Sequence, residues 1–236
     1  MLLLKIINLN LLNLRNNRQN LNNKLVYNEI INGKINEKNI NNKKFIRIIN
    51  ELNISKEEIL QKCKNDIYFA KLLSINISKI SSQQGNKDEY LQLYIINKIC
   101  NKCNIYINNI EKYRPTKDGK IISEKEYKTN KISKLDCLKT FDAKITGKIN
   151  GWIFAKVVIG NGGHQDNVFQ EAIYLCDWVI KNKIYNEYFF ILIDTDMHKK
   201  FNEISKKYNN ITPFLIVCNH ITIQEYFINN FYNKKN

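Results

Sequence analysis

Two prolines and eight glycines in 236 residues exclude a collagen-like chain. Six cysteines (Cys63, Cys100, Cys103, Cys137, Cys176 and Cys218) are too few and too scattered for a disulfide framework. Cys100-Asn-Lys-Cys103 is a lone CxxC without a second pair at zinc-knuckle spacing, so its thiols are expected inside a helical core, in a reducing cytoplasm. The three histidines, His164, His198 and His220, are too dispersed for a zinc cluster. The apolar start is broken by Asn8 and Asn10 and lacks a small-residue cleavage site, so neither a membrane span nor a secretory signal is expected. No Walker loop, dinucleotide fingerprint or serine elbow occurs.

What the chain has is apolar bulk and lysine. Hydrophobic residues make up 44%, enough for a full core and incompatible with a disordered tail. The net charge is +15, with only four arginines (Arg15, Arg18, Arg47 and Arg114). Together with 38 asparagines this is the composition an AT-rich genome imposes, so the placement of charge says more than its total. Residues 1–140 hold 26 basic and 13 acidic side chains, while residues 141–236 hold 11 and 9. A basic first part beside a nearly neutral second part points to a polyanion at the first part; solvated helix faces are the plainer reading.

Three regions follow from periodicity. Residues 1–110 read as mainly helical, with Ile46, Ile49 and Leu52, then Ile59, Leu60 and Cys63, at helical spacing. Ser55-Lys-Glu-Glu58 is a capping-box signature. A further helix is expected over 88–103 on Leu91, Tyr94, Ile95, Ile99 and Lys102, with Ser81–Asn86 as the turn before it. Residues 111–139, with Arg114-Pro115 and Lys117-Asp-Gly-Lys120, read as a basic, partly extended connector. Residues 140–236 read as an α/β unit: a hairpin turning near Gly147-Lys148, a strand over 152–159, a helix capped by Asp166 or Asn167, and apolar strands at 188–193 and 214–218 separated by a helix.

One constellation in the α/β unit could do chemistry. Period 2 puts Trp152, Phe154, Lys156 and Val158 on one face of the second strand; either the lysine faces solvent on an edge strand, or an ammonium on an apolar face needs an anionic partner. Asp142, on the neighbouring strand, is available. Glu171, 15 positions after Lys156, lies at the margin of the next helix's apolar face. Asp194-Thr-Asp196 follows an apolar strand and is either a second acidic site or, at Thr195 or Asp196, a helix N-cap before Met197.

Across Phe141-Asp142-Ala-Lys-Ile, Phe154-Ala-Lys156-Val-Val and Gly162-Gly-His-Gln-Asp-Asn-Val-Phe-Gln-Glu171 the chain resembles the PD-(D/E)xK nucleases, type II restriction endonucleases in particular. The resemblance covers about residues 135–220 and implies a restriction-endonuclease-like α/β core, a central mixed sheet flanked by helices, behind a helical N-terminal part. It implies Asp142 as the first metal-binding acid and Lys156 as the lysine that places or activates water. Phe154 stands where the family's strand acid would be, so the second acid is expected on the following helix, at Glu171. Gln165 and Asp166 are expected as supporting groups, and Gly160–Gly163 as a loop that lets phosphate approach. The implied cofactor is Mg²⁺ and the implied activity is site-specific cleavage of double-stranded DNA by a homodimer without membrane association. The basic part and connector, including Lys117, Lys120, Lys128 and Lys131, would grip phosphates. A non-catalytic DNA-binding protein on a degenerate nuclease fold and a repair or RNA-processing nuclease are the alternatives.

Overall fold

The computed structural model describes residues 5–8, 10–79, 81–108, 112–159, 163–184 and 186–232, with the side chains of all but 81–86 and 163–165. The chain divides into two compact units, Asn10–Asn86 and Met1–Leu9 with Lys87–Asn236.

The first unit is helical: α1 (Leu11–Ile31), α2 (Asn42–Leu52), α3 (Lys56–Asn65) and α4 (Ile67–Ile77). The Asn-rich stretch becomes the long α1 because Val26 and Ile30 bury against Phe45, Ile59, Leu73 and Ile77. Asparagine is a poor helix former but a good cap, and Asn10 and Asn41 accept from Asn13 N and Lys44 N. The Ser55–Glu58 capping box forms in full. The spacing of Ile46, Ile49 and Leu52 marks a helix, but its buried side is Phe45, and Ile46 and Leu52 are exposed.

The second unit is α/β. Its five-stranded mixed sheet has the order β1 (Ile105–Asn108), β4 (Ala143–Gly147), β5 (Gly151–Val158), β6 (Tyr188–Thr195), β7 (Leu215–Cys218). β1, β4 and β5 are antiparallel neighbours, and β5, β6 and β7 are parallel. β5 and β6 carry near-continuous apolar runs because both of their faces are covered. On one face Ile153, Ala155, Phe190 and Leu192 meet α5 (Ser81–Cys100) and α9 (His220–Phe227). On the other, Phe154, Val158, Ile191 and Ile193 meet α7 (Gly163–Asn182) and α8 (His198–Tyr208). Gly147 takes φ +105° at the β4–β5 turn, a backbone conformation that favours glycine. At Gly151 a Cβ would come within 2.2 Å of Tyr188 O, so only glycine lets β6 pair there.

Several boundaries differ from the sequence reading. The division falls at residue 86 rather than 110, because Leu93, Ile96, Ile99 and Cys100 of α5 belong to the sheet's core. Periodicity reveals a helix but not which core receives it. Ser81–Asn86 is the first part of α5 and not a turn. The buried seam of α5 includes Ile95 and Ile99 as the spacing expects, together with Gln92, Leu93, Ile96 and Cys100, and leaves Tyr94 half exposed. Helix α7 starts at Gly163, ahead of the expected cap. The 111–139 connector is folded: β2 (Tyr113–Pro115) and β3 (Ile121–Ser123) form a hairpin, followed by α6 (Glu124–Thr129) and a 3-10 turn at Lys134–Asp136. Trp178 Nε1 pins it by donating to Thr116 O at 2.6 Å. Among the described residues no helix is long and apolar enough to cross a membrane.

Candidate active site

The site forms where the sheet comes unzipped. β4 pairs with β5 only as far as Ala143 opposite Ile153, and β5 continues to Val158. One N–H beyond the end of that pairing is taken by a side chain: Asp142 Oδ2 accepts from Ala155 N at 2.8 Å. This fixes the carboxylate beside Lys156, whose Nζ lies 3.3 Å from Asp142 Oδ2 and 3.4 Å from Oδ1. Asp142 and Lys156, expected together from the sequence, are together.

The second acid on the lysine comes from α5. Glu89 Oε1 accepts from Lys156 Nζ at 2.8 Å. Next to it on the buried seam, Gln92 Nε2 donates to Lys156 O at 3.2 Å and to Asp194 Oδ2 at 2.6 Å, tying α5 to the ends of β5 and β6. Asp194 Oδ1 lies 2.6 Å from His220 Nδ1 and accepts from His220 N at 3.3 Å. Asp194 is therefore a buried link in this chain of contacts, while Thr195 Oγ1 accepts from Met197 N at 2.9 Å just ahead of α8.

The three charged side chains are mostly buried, between 14% and 19% exposed. Burial pushes both carboxyl groups above the ordinary carboxylate range, against the pull of the Lys156 ammonium. Burial also works against the charge on Lys156, but Asp142 and Glu89 outweigh it and raise the lysine. Two acids and one base leave the cluster one negative charge in excess when all three are ionised. Such a site gains from a divalent cation, and Asp142 and Glu89 are the hard oxygen donors Mg²⁺ takes, completed by water. Among the described residues no group of three or more His, Cys, Asp or Glu could hold a metal by protein ligands alone. Asp142 and Glu89, both bound to Lys156 Nζ, are the two carboxylates this cluster offers.

Glu171 is not one of the cluster's hydrogen-bonding partners. It stands on α7 and binds Lys139 Nζ at 3.1 Å. α7 faces the sheet with Phe169, Ala172 and Cys176, and Glu171 lies outside that packed face, partly exposed. Asp166 is exposed and paired with Lys200. The side chain of Gln165 and the loop residues 160–162 lie outside the described residues. Lys117, Lys120, Lys128 and Lys131 are all exposed on the β2–β3–α6 segment, with Lys120 and Lys128 beside Asp118 and Glu124.

The sequence reading missed Glu89. A carboxylate three and four positions before Gln92 and Leu93 lies on the buried seam of α5, and that is the signal that could have found it. The class defined so far is an α/β protein with a five-stranded mixed sheet and a buried acid–lysine–acid cluster at the frayed end of its hairpin. Compared with known proteins, the chain matches no family model, no curated protein and no solved structure.

Proposed function

We propose that this chain is a metal-dependent phosphodiester hydrolase on a restriction-endonuclease-like core, cutting double-stranded DNA at specific sites as a homodimer. The observation that carries the reading is the convergence of Asp142 and Glu89, from different elements, on Lys156. With Phe154 fully buried in the core, no carboxylate is available two positions before the lysine, and Glu89 takes that part. Asp142 and Glu89 would hold Mg²⁺, which when bound neutralises charge on the phosphate and acidifies a coordinated water. Asp142 keeps its orientation through Ala155 N, and Gln92 holds the backbone of Lys156 in place. Lys156 supplies a point charge beside the reacting phosphate. The exposed lysines of the β2–β3–α6 segment would meet flanking phosphates.

Incubation with supercoiled plasmid and Mg²⁺ tests this. Discrete fragments, lost in Lys156→Ala and in Glu89→Gln, are the expected result. Intact but gel-shifted plasmid would instead support a non-catalytic DNA-binding protein, the reading favoured by the apolar Phe154. Undiminished cutting by Lys156→Ala would overturn the site assignment.

A further inference from the structure

Beside the acid–lysine cluster is a pocket of about 550 Å³, walled by β2, the 134–140 segment and α7. This is within the size range of small-ligand sites. Its charge is mostly positive. Among the described residues Lys112, Arg114, Lys134 and Lys139 line it against one acid, Glu171. Two of these cations are pre-positioned: Lys139 by Glu171, and Arg114 by Glu124, whose Oε2 lies 2.5 Å from Nη2, and by stacking on Tyr127 at 4.1 Å. Arg114 Nε is buried and, among the described residues, has no hydrogen-bond acceptor. A buried donor of this kind calls for an acceptor brought by a ligand.

The rest of the lining is apolar and open. Tyr174 is 54% exposed and Leu135 80% exposed, although both are large hydrophobic side chains of a folded segment. Cations around a concave surface with an open aromatic ring suit a ligand with an anionic group and a flat apolar body. A nucleotide has both, and an aromatic ring takes its base only when the base is out of the duplex stack. The pocket adjoins the cluster along the chain: Thr140, which lines it, stands two residues before Asp142.

We infer that this pocket binds an unstacked nucleotide of single-stranded DNA next to the phosphate at the acid–lysine cluster, with its base on Tyr174 and its phosphate on Lys112, Lys134 and Arg114. The substrate class is then duplex DNA that opens locally at the cut, so that one strand presents an unstacked nucleotide. The inference rests on the nuclease reading for the identity of its ligand, but it is tested by binding alone.

The experiment is fluorescence anisotropy, in EDTA, of a labelled oligothymidylate of about 20 nucleotides and of a blunt duplex of the same length. Tyr174→Ala should weaken single-strand binding on the order of tenfold and leave duplex binding unchanged. Tyr174→Phe should bind as wild type, because the ring and not the hydroxyl is required. Lys134→Glu should weaken single-strand binding and flatten its salt dependence. Equal single-strand affinity in Tyr174→Ala and wild type would overturn the inference, as would parallel losses on single strand and duplex. The two readings separate: if Lys156→Ala cuts plasmid normally while Tyr174→Ala loses single-strand binding, the nuclease site is wrong and the pocket stands.

Discussion

Replacing Lys156 by methionine removes one ammonium and leaves two buried carboxyl groups facing each other. The lysine is 14% exposed and each acid 19%, so solvent screens the cluster little. Removing one partner of such a buried group costs about 3–5 kcal/mol. In a unit of this size each kcal/mol lowers the melting temperature by roughly 2–4 °C, so a fall of roughly 6–20 °C is expected near neutral pH. The pH dependence has a definite sign. Glu89 and Asp142 are raised in the folded protein, so their contribution is fully present below the unfolded carboxyl values, about 4, and is lost as pH rises through the higher folded values. Lys156 lowers both acids, and without it they rise further and the loss on the alkaline side grows. The deficit of Lys156→Met should therefore be largest at neutral pH and shrink on acidification through the carboxyl range. Lys156 is itself raised, so its own stabilisation in wild type persists through neutral pH and is lost only above about 10.4. Thermal melts of both proteins from pH 4 to pH 8, in EDTA, measure this. A methionine variant melting within about 2 °C of wild type at every pH would refute the claim that the ammonium holds two buried acids together.

Glu89→Gln should abolish Mg²⁺-dependent plasmid cutting, whereas Glu171→Ala should retain most of it, because Glu171 binds Lys139 rather than the cluster; the reverse outcome would return the second acid to α7. Phe154→Asp would restore the strand acid of the resembled family, yet it exchanges a fully buried ring for a charge, so a loss of roughly 3–5 kcal/mol or more and no gain in cleavage are expected, read from soluble yield and melting. Asn219→Ala removes the cap that accepts from Ile221 N and Thr222 N at 2.9 Å, and should cost about 1 kcal/mol by chemical denaturation.

The hairpin, the order of elements after residue 140 and the pairing of Asp142 with Lys156 were legible because period-2 alternation places a lysine on an apolar strand face, where it demands a neighbour. The five-stranded sheet was legible only in part. β1 is four residues long, and its pairing with β4 is a long-range contact that no local pattern announces. The folding of 111–139 escaped for a related reason: its strands are three residues each and are held by Trp178 and by Tyr113, whose ring packs at a tilt 5.2 Å from that of Trp152. Glu89 escaped because a helix of the same spacing can be drawn one residue out of phase, on Leu91 and Tyr94. That phase puts the carboxylate on the wet side, whereas the packed phase puts it on the sheet.

Gln224 of α9 exchanges two hydrogen bonds with Ile7, accepting from its N–H and donating to its carbonyl, both at 3.0 Å. The backbone is thus already secured to the α/β fold before it begins α1, and it rejoins that fold at Lys87. The helical unit is consequently an excursion fastened at both ends. When it melts it becomes a closed loop and not a free tail, so less chain entropy is released and its helices re-form within a confined volume. Clipping residues 5–8 would undo one fastening, and the penalty should fall on α1–α4, none of which those residues belong to.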